Sequence, residues 1–384
     1  MSLIRDKLFS TVALSHFAVD ILNGQRSVLF VYIAASLGLS NTQLGILSTA
    51  YVLVAAVMQP LFGYLADKRG SRWAIAGGTL WIGVFFSIGL VASSYAGMAL
   101  FVVASLGSGA FHPAGTMQAT LVGRDRFASR ETTASSLFFL FGQAGMFVGP
   151  LLGGILLSQS GMPGLLWLSF FAVFIGVIGF VRLRGESTEM IEPLKEASES
   201  GNGPSSRFLW LAFAILATSG AWVQQNMIIF VPKYLSDLGQ SSEVYGVLSS
   251  LYIGAAALGL MIGGMLADRF GKRRVAASML ALAVLPLAAI PLLGLSPLLY
   301  VAITLAGLFS GSTHSIVVVL AQRYIPGGMA MTSGLILGFI FSMGALGVLV
   351  SGYLADAYGV ISVFWLTAAL AFVAALSSLT LEKN

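Results

Sequence analysis

The chain has 384 residues, 57% of them hydrophobic and only 9% charged, with no Cys, and its mean hydropathy is +0.91. Soluble domains carry about 25% charged residues, and a chain this poor in charge lacks the polar side chains to cover a water-facing surface, which argues against a soluble enzyme, a nucleic-acid-binding protein and a disordered chain. Without Cys there are no disulfides, thiolate metal sites or thiol nucleophile, so the class left is a polytopic membrane protein with helical apolar runs rather than the short alternating segments of a barrel.

Twelve runs are long enough to cross a bilayer, spanning about 10–34, 43–66, 73–93, 97–121, 132–157, 163–182, 208–232, 244–267, 275–294, 297–321, 331–355 and 360–381. Gly/Ser/Asn/Pro breaks such as 37–41 and 295–297 separate them. Of the 20 basic residues, all but Lys233 and Arg26 fall on one side of this pattern, in the loops after even-numbered runs and at the termini. By the positive-inside rule both termini are expected in the cytoplasm, and the net charge of +5 is a topology signal rather than a polyanion site. In a bacterium this places the protein in the inner membrane, surrounded by lipid and with no nucleic-acid partner.

Run 1 holds His16, Asp20 and Asn23 at i, i+4 and i+7, so all three share one helix face. These residues and Arg26 interrupt the run, so it is expected to be retained rather than cleaved as a signal peptide. Asp20 lies about ten residues, roughly 15 Å, from the cytoplasmic end, near the middle of the membrane. Intramembrane charges are costly and functional by default. Asp20 is therefore a candidate proton carrier, with a structural pairing to His16 or Arg26 as the alternative. Arg26 is rotated about 120° from Asp20 and can pair with it loosely or face an outer cavity.

After run 2 comes Gly63-Tyr64-Leu65-Ala66-Asp67-Lys68-Arg69-Gly70, in which Gly70 suits a tight turn past a helix end. Run 4 carries His112, a candidate proton relay, with Pro113 suggesting a local break, and Gln118 beyond. Run 5 carries Gln143, then Gly145 and Gly149 as a small-residue packing face, then Pro150, which removes a backbone donor. The polar, Glu-bearing stretch 183–207 reads as a cytoplasmic linker between an N-terminal half, 1–182, and a C-terminal half, 208–384. Run 7 carries Gln224, Gln225 and Asn226 beside Trp222, amides and an aromatic suited to an amphiphilic ligand. Run 8 ends in a second copy of the loop, with Asp268 and Gly271, and run 10 holds His314.

The halves repeat. Gly45, Tyr51 and Asp67 correspond to Gly246, Tyr252 and Asp268 at an offset of 201, and Ser108 to Ser310 at 202. The pair of six-helix halves predicts an all-α membrane protein of twelve transmembrane helices in pseudo-symmetric arrangement, a transporter plan with the site between halves near the midplane. No G-x-x-x-x-G-K-[ST] occurs, so ATP is not the expected energy source, and no H-E-x-x-H or G-x-S-x-G points to an enzyme.

The G-x-L-A-D-x-x-G loops resemble the signature loop of the major facilitator superfamily, and the likeness extends over all twelve runs. It implies alternating access, with Gly63, Asp67, Arg69, Gly70, Asp268 and Gly271 in a cytoplasmic gate lock. The sequence G-x-x-x-G-P-x-x-G-G at 145–154 is similar to the antiporter motif of drug–proton exchangers. Leu14-Ser15-His16 with Asp20, Gln59-Pro60, Phe111-His112-Pro113, Ala321-Gln322, Ser333-Gly334-Leu335 and Ala355-Asp356 resemble the fosmidomycin-resistance group. That resemblance implies proton-driven export of drugs or small amphiphilic metabolites, with a proton gradient and no cofactor. Asp20, His16 and His112 would serve the proton, and Asn23, Arg26, Gln118, Gln143, Gln224, Gln225, Asn226 and His314 are the candidate substrate contacts. A proton-coupled importer or passive facilitator of a small nutrient is the alternative. One chain holding both halves is expected to work as a monomer.

Overall fold

The computed structural model describes residues 3–92, 95–127, 131–184, 207–314, 316–318, 320 and 329–381, without the side chains of 67, 131–133, 268 and 329–334. Among them run twelve α-helices. These are α1 Lys7–Leu37, α2 Asn41–Arg69, α3 Gly78–Ala92, α4 Tyr95–Arg126, α5 Glu131–Ser160, α6 Leu166–Arg182, α7 Arg207–Asp237, α8 Ser242–Phe270, α9 Lys272–Leu293, α10 Pro297–Gly311, α11 Met329–Tyr358 and α12 Ile361–Ser378. A π-helical stretch, Trp73–Gly77, leads into α3. Eleven of these segments are long and apolar enough to cross a membrane. The exception, α1, has 31 residues, about 45 Å, which is ample length; its polar face lowers its hydropathy.

The all-helical class matches the sequence expectation, with two local corrections. The tenth span, Pro297–Val318, is interrupted by a turn at Ser312 and Thr313 and is helical again at 314, 316–318 and 320, so the expected run to 321 is broken rather than continuous. Pro113 does not interrupt α4, which runs on to Arg126, and Pro150 likewise sits inside a continuous α5. A membrane helix tolerates such a proline because neighbouring groups satisfy the freed carbonyl. The expected glycine turns are present: Gly70 ends α2 at φ 82° and Gly271 ends α8 at φ 90°, a left-handed backbone that favours residues without Cβ.

By its packing the chain separates into two compact units. One comprises Met1–Phe30, Ala50–Leu194 and Ser241–Ser250; the other comprises Val31–Thr49, Lys195–Gln240 and Leu251–Asn384. Within the first, α3 packs against α4 and α6, and α4 against α5. Within the second, α9 packs against α10 and α12, and α7 against α11 and α12. The pairs α3–α4 and α3–α6 thus recur as α9–α10 and α9–α12, six helices later.

Small residues set the closest approaches. A Cβ on Gly145 would lie 2.5 Å from the Phe17 carbonyl oxygen, and one on Gly149 would collide with that of Ile21. The glycine face of α5 therefore rides directly on the α1 backbone, on both sides of Asp20. In the second unit a Cβ on Gly344 would meet Gln225 Cγ at 2.6 Å, and Gly347 faces the Trp222 ring. The first turn of α2 is capped there by Asp356 of α11, whose Oδ1 and Oδ2 accept from the Asn41 and Thr42 amides at 2.7 and 2.8 Å. A carboxylate at a helix N-terminus satisfies orphan amides and complements the helix dipole.

Candidate functional site

The polar face of α1 meets α2, α4 and α5 at one cluster. Asp20 lies in the middle of α1 with its side chain only 10% exposed. A buried carboxylate needs compensating donors, and this one has three. His16 Nε2 lies 3.2 Å from Oδ2, His112 Nε2 lies 3.4 Å from Oδ1, and Asn23 Nδ2 donates to Oδ1 at 2.8 Å. Asn23 is itself held: its Nδ2 also donates to Ser108 Oγ at 3.0 Å, and its Oδ1 accepts the Tyr51 hydroxyl at 2.7 Å. The i, i+4, i+7 spacing on α1 and the i, i+4 spacing of Ser108 and His112 on α4 supply two facing stripes.

Both imidazoles are fixed from behind. His16 Nδ1 lies 2.8 Å from the Phe138 carbonyl oxygen, and its ring stacks on the Phe138 ring with centroids 4.0 Å apart. His112 Nδ1 lies 2.8 Å from the Ser108 carbonyl oxygen. A carbonyl only accepts, so each Nδ1 carries the proton in these bonds. Each Nε2 is left facing a carboxylate oxygen. A neutral ring would set lone pair against lone pair there, so the contact is favourable only with a cation between the two atoms, the simplest being a proton. Gly142 on α5 makes the space: a Cβ there would collide with the His16 ring and stand 2.8 Å from Asp20 Oδ2. His112 is the open side, with 27% side-chain exposure against 3% for His16.

The Asp20–Arg26 pair considered from sequence does not form. Arg26 is buried over the rings of Tyr51, 5.0 Å away, and Phe30, 5.9 Å away, and its Nε and Nη1 have no hydrogen-bond partner. The 120° rotation along α1 turns it to a different neighbour, and the aromatic faces take its charge by cation–π contact.

The other candidates scatter. Gln118 is buried in α4, Gln143 is exposed on α5, and neither is hydrogen-bonded to the cluster. In the second unit Gln224 and His314 line one small recess with Ala217, Gly220 and Ala221. Gln225 packs its stem at Gly344. Asn226 turns away from any cavity: it is 1% exposed and donates to the Thr367 hydroxyl of α12 at 3.0 Å. Trp222 donates to Ser351 at 2.9 Å. Of the loop motif, Gly63 rests against Pro113, Arg69 is exposed, and the side chains of Asp67 and Asp268 lie outside the described residues; so do Ala321 and Gln322.

Sequence reasoning missed four members of the cluster. Tyr51 and Ser108 served only as repeat landmarks, although Ser108 stands one helical turn before His112. Gly142, about one turn before Gly145, lies outside the Gly145–Gly149 packing face and the 145–154 motif. The Phe138 carbonyl has no sequence signal at all.

The family model described as Major Facilitator Superfamily matches residues 8–241 and 209–383. The fosmidomycin resistance protein of Escherichia coli strain K12 is 28% identical over 366 residues, covering 91% of this chain and 86% of that protein. The multidrug efflux pump Tap of Mycolicibacterium fortuitum is 28% identical over 282 residues, 69% of this chain and 67% of its own. The crystal structure of a bacterial homologue of the human lysosomal transporter Spinster has the same fold, with a TM-score of 0.79, 17% identity, and coverage of 98% of this chain and 97% of that one. With its described helices in repeating packing order, and matched by that model over nearly its whole length, the chain belongs to the Major Facilitator Superfamily of multi-pass membrane transporters.

Proposed function

We propose that this transporter exports drugs or small amphiphilic metabolites in exchange for protons, by alternating access. The observation that carries the reading is the seating of Asp20 between two imidazoles whose Nε2 atoms both face its oxygens. Asp20 takes and releases the coupling proton; His16 and His112 are its relay, and the partly exposed His112 is the way in and out. Asn23, tied to Tyr51 and Ser108, positions the carboxylate. Gln224 and His314 are the candidate substrate contacts of the second unit; the recess they share is only about 10 Å³, so admitting an amphiphilic ligand requires it to widen during the transport cycle. Likeness to a fosmidomycin resistance protein and a multidrug efflux pump supports export over import. The loops at Gly63–Gly70 and Gly264–Gly271 act as the cytoplasmic gate lock. The chain works as a monomer in a bacterial inner membrane, both termini cytoplasmic, with no cofactor beyond the proton gradient.

The test is flux in proteoliposomes under an imposed pH gradient, across chemically varied antibiotics. Accumulation on the acidic side that collapses with the gradient and is lost in Asp20→Asn is the expected result. Export that ignores the gradient, or survives the substitution unchanged, overturns the proton role.

A further inference from the structure

We infer that His16, Asp20 and His112 also form a binding site for a divalent transition-metal ion of the Zn2+ class, which occupies the position of the proton between the imidazoles and the carboxylate. The inference concerns the same cluster as the proposed function but does not need transport to be proton-coupled, because it stands on the donor set and its geometry.

Three observations carry it. The first is orientation. Metal-binding histidines characteristically donate their other ring N–H to a backbone carbonyl or carboxylate, which fixes the tautomer and aims the free nitrogen. Both histidines here do so: His16 Nδ1 meets the Phe138 carbonyl and His112 Nδ1 the Ser108 carbonyl, each at 2.8 Å. Both Nε2 lone pairs are thereby presented to the Asp20 carboxylate, one at each oxygen. The second is spacing. With Zn–N and Zn–O bonds of about 2.0–2.2 Å, neighbouring ligand atoms of a tetrahedral ion lie about 3.4 Å apart. His16 Nε2 lies 3.2 Å from Oδ2 and His112 Nε2 lies 3.4 Å from Oδ1, one ring at each oxygen of the same carboxylate, and one ligand atom from each residue can be chosen so that all three fall within 4.8 Å of one another. A modest rotation of His112, the partly exposed ring, closes the remaining gap. The third is the surrounding shell. Asn23 anchors Asp20 Oδ1 and is anchored in turn by Tyr51 and Ser108, while Gly142 leaves the His16 side unobstructed.

The chemistry selects the ion. Two imidazoles and one carboxylate suit Zn2+, Co2+ or Ni2+, whereas Mg2+ and Ca2+ want six or more oxygens. Arg26, the nearest cation on α1, is committed to Tyr51 and Phe30, so it does not neutralise Asp20. Two neutral rings, a carboxylate and a divalent ion leave a net charge of one, and three protein ligands leave a fourth position open on the His112 side, as in exchangeable zinc sites.

The test uses the full-length protein in detergent micelles, with any affinity tag removed and metal stripped by chelator. Co2+ is titrated and the visible absorption of low-symmetry Co2+ is followed, then Zn2+ is added to displace it. One Co2+ per chain, displaced by Zn2+ but not by excess Mg2+, is expected. Affinity should fall by about tenfold or more in His16→Gln, Asp20→Asn and His112→Gln, the scale of disturbing a built metal site, and stay unchanged in His314→Gln. Thermal unfolding in the same detergent checks that each variant folds; His112→Gln, at the open side, keeps the test decisive if the buried variants do not. Wild-type protein that takes up no Co2+, or the same uptake in His112→Gln as in wild type, overturns the inference. Because binding is read without flux, its failure and that of the proton role are separate results.

Discussion

The two halves repeat their helix packing but not their chemistry at the equivalent place. In the first unit α1 brings His16, Asp20 and Asn23 against His112 of α4. An offset of 201 carries His16, Asp20 and Asn23 onto Ala217, Ala221 and Gln224 of α7, and 202 carries His112 onto His314. Those four counterparts line one recess in the second unit, so the scaffold is reproduced and the charges are not. The supporting tyrosines follow suit. Tyr51 reaches Asn23, whereas Tyr252 bonds Ser310 at 3.1 Å, the counterpart of Ser108. Even the spacing glycine has a partner: Gly142 faces His16 and Asp20, while Gly344, 202 residues on, faces Gln225 and the Ala221 carbonyl. Burying a carboxylate with its donors costs several kcal/mol per ion before the pairing repays it. A repeat that bears this cost once can keep its second copy neutral.

The comparison breaks most readily at Asp20. Asp20→Asn should reduce gradient-driven flux on the order of 100-fold, the scale of losing a positioned proton-transfer group; wild-type flux would remove the distinction between the halves. Next come the paired histidines. In the same proteoliposome assay His112→Ala should lose about tenfold of the coupled flux, at the lower end of what a supporting proton-transfer group supplies, and His314→Ala less than about twofold. Equal losses would mean that both halves titrate.

Glycines sharpen the comparison through stability. Gly142→Ala forces a methyl into the His16 ring and should lower unfolding stability in detergent by about 1–3 kcal/mol, the usual cost of overpacking. Gly220, on the wall of the second recess, has open space where its Cβ would be. Gly220→Ala should be neutral or stabilising by up to about 1 kcal/mol, because alanine is the better helix former. The tyrosine effect is also small: Tyr51→Phe frees the Asn23 carbonyl and should cost about 1 kcal/mol, as one lost hydrogen bond does. It should also slow flux, whereas Tyr252→Phe should change stability alone.

Much of the candidate site was legible because it sits on single helices. The shared face of His16, Asp20 and Asn23 follows from 3.6 residues per turn, and the recess with Gln224 and His314 lies where the repeat offset puts it. The misreadings concern mostly neighbours from other helices. Arg26 is within two turns of Asp20 in sequence, yet Tyr51 of α2 and Phe30 claim it. Asn226 sits beside two candidate ligand contacts, yet it faces Thr367 of α12. Pro113 read as a break, but the helix around it holds.

Run length, apolar composition and the internal offset by themselves determined a membrane protein of twelve helices in two related halves. Such properties are local: hydrocarbon thickness sets the run, and helix periodicity sets the face. Only the tertiary structure decided which nitrogen meets which oxygen. That depends on how closely α1, α2, α4 and α5 approach, and the distance is fixed by side chains that are missing as much as by those present. Gly142, Gly145 and Gly149 let α5 settle onto α1, the Phe138 carbonyl then fixes His16, and Asp20 ends between two imidazoles rather than beside an arginine.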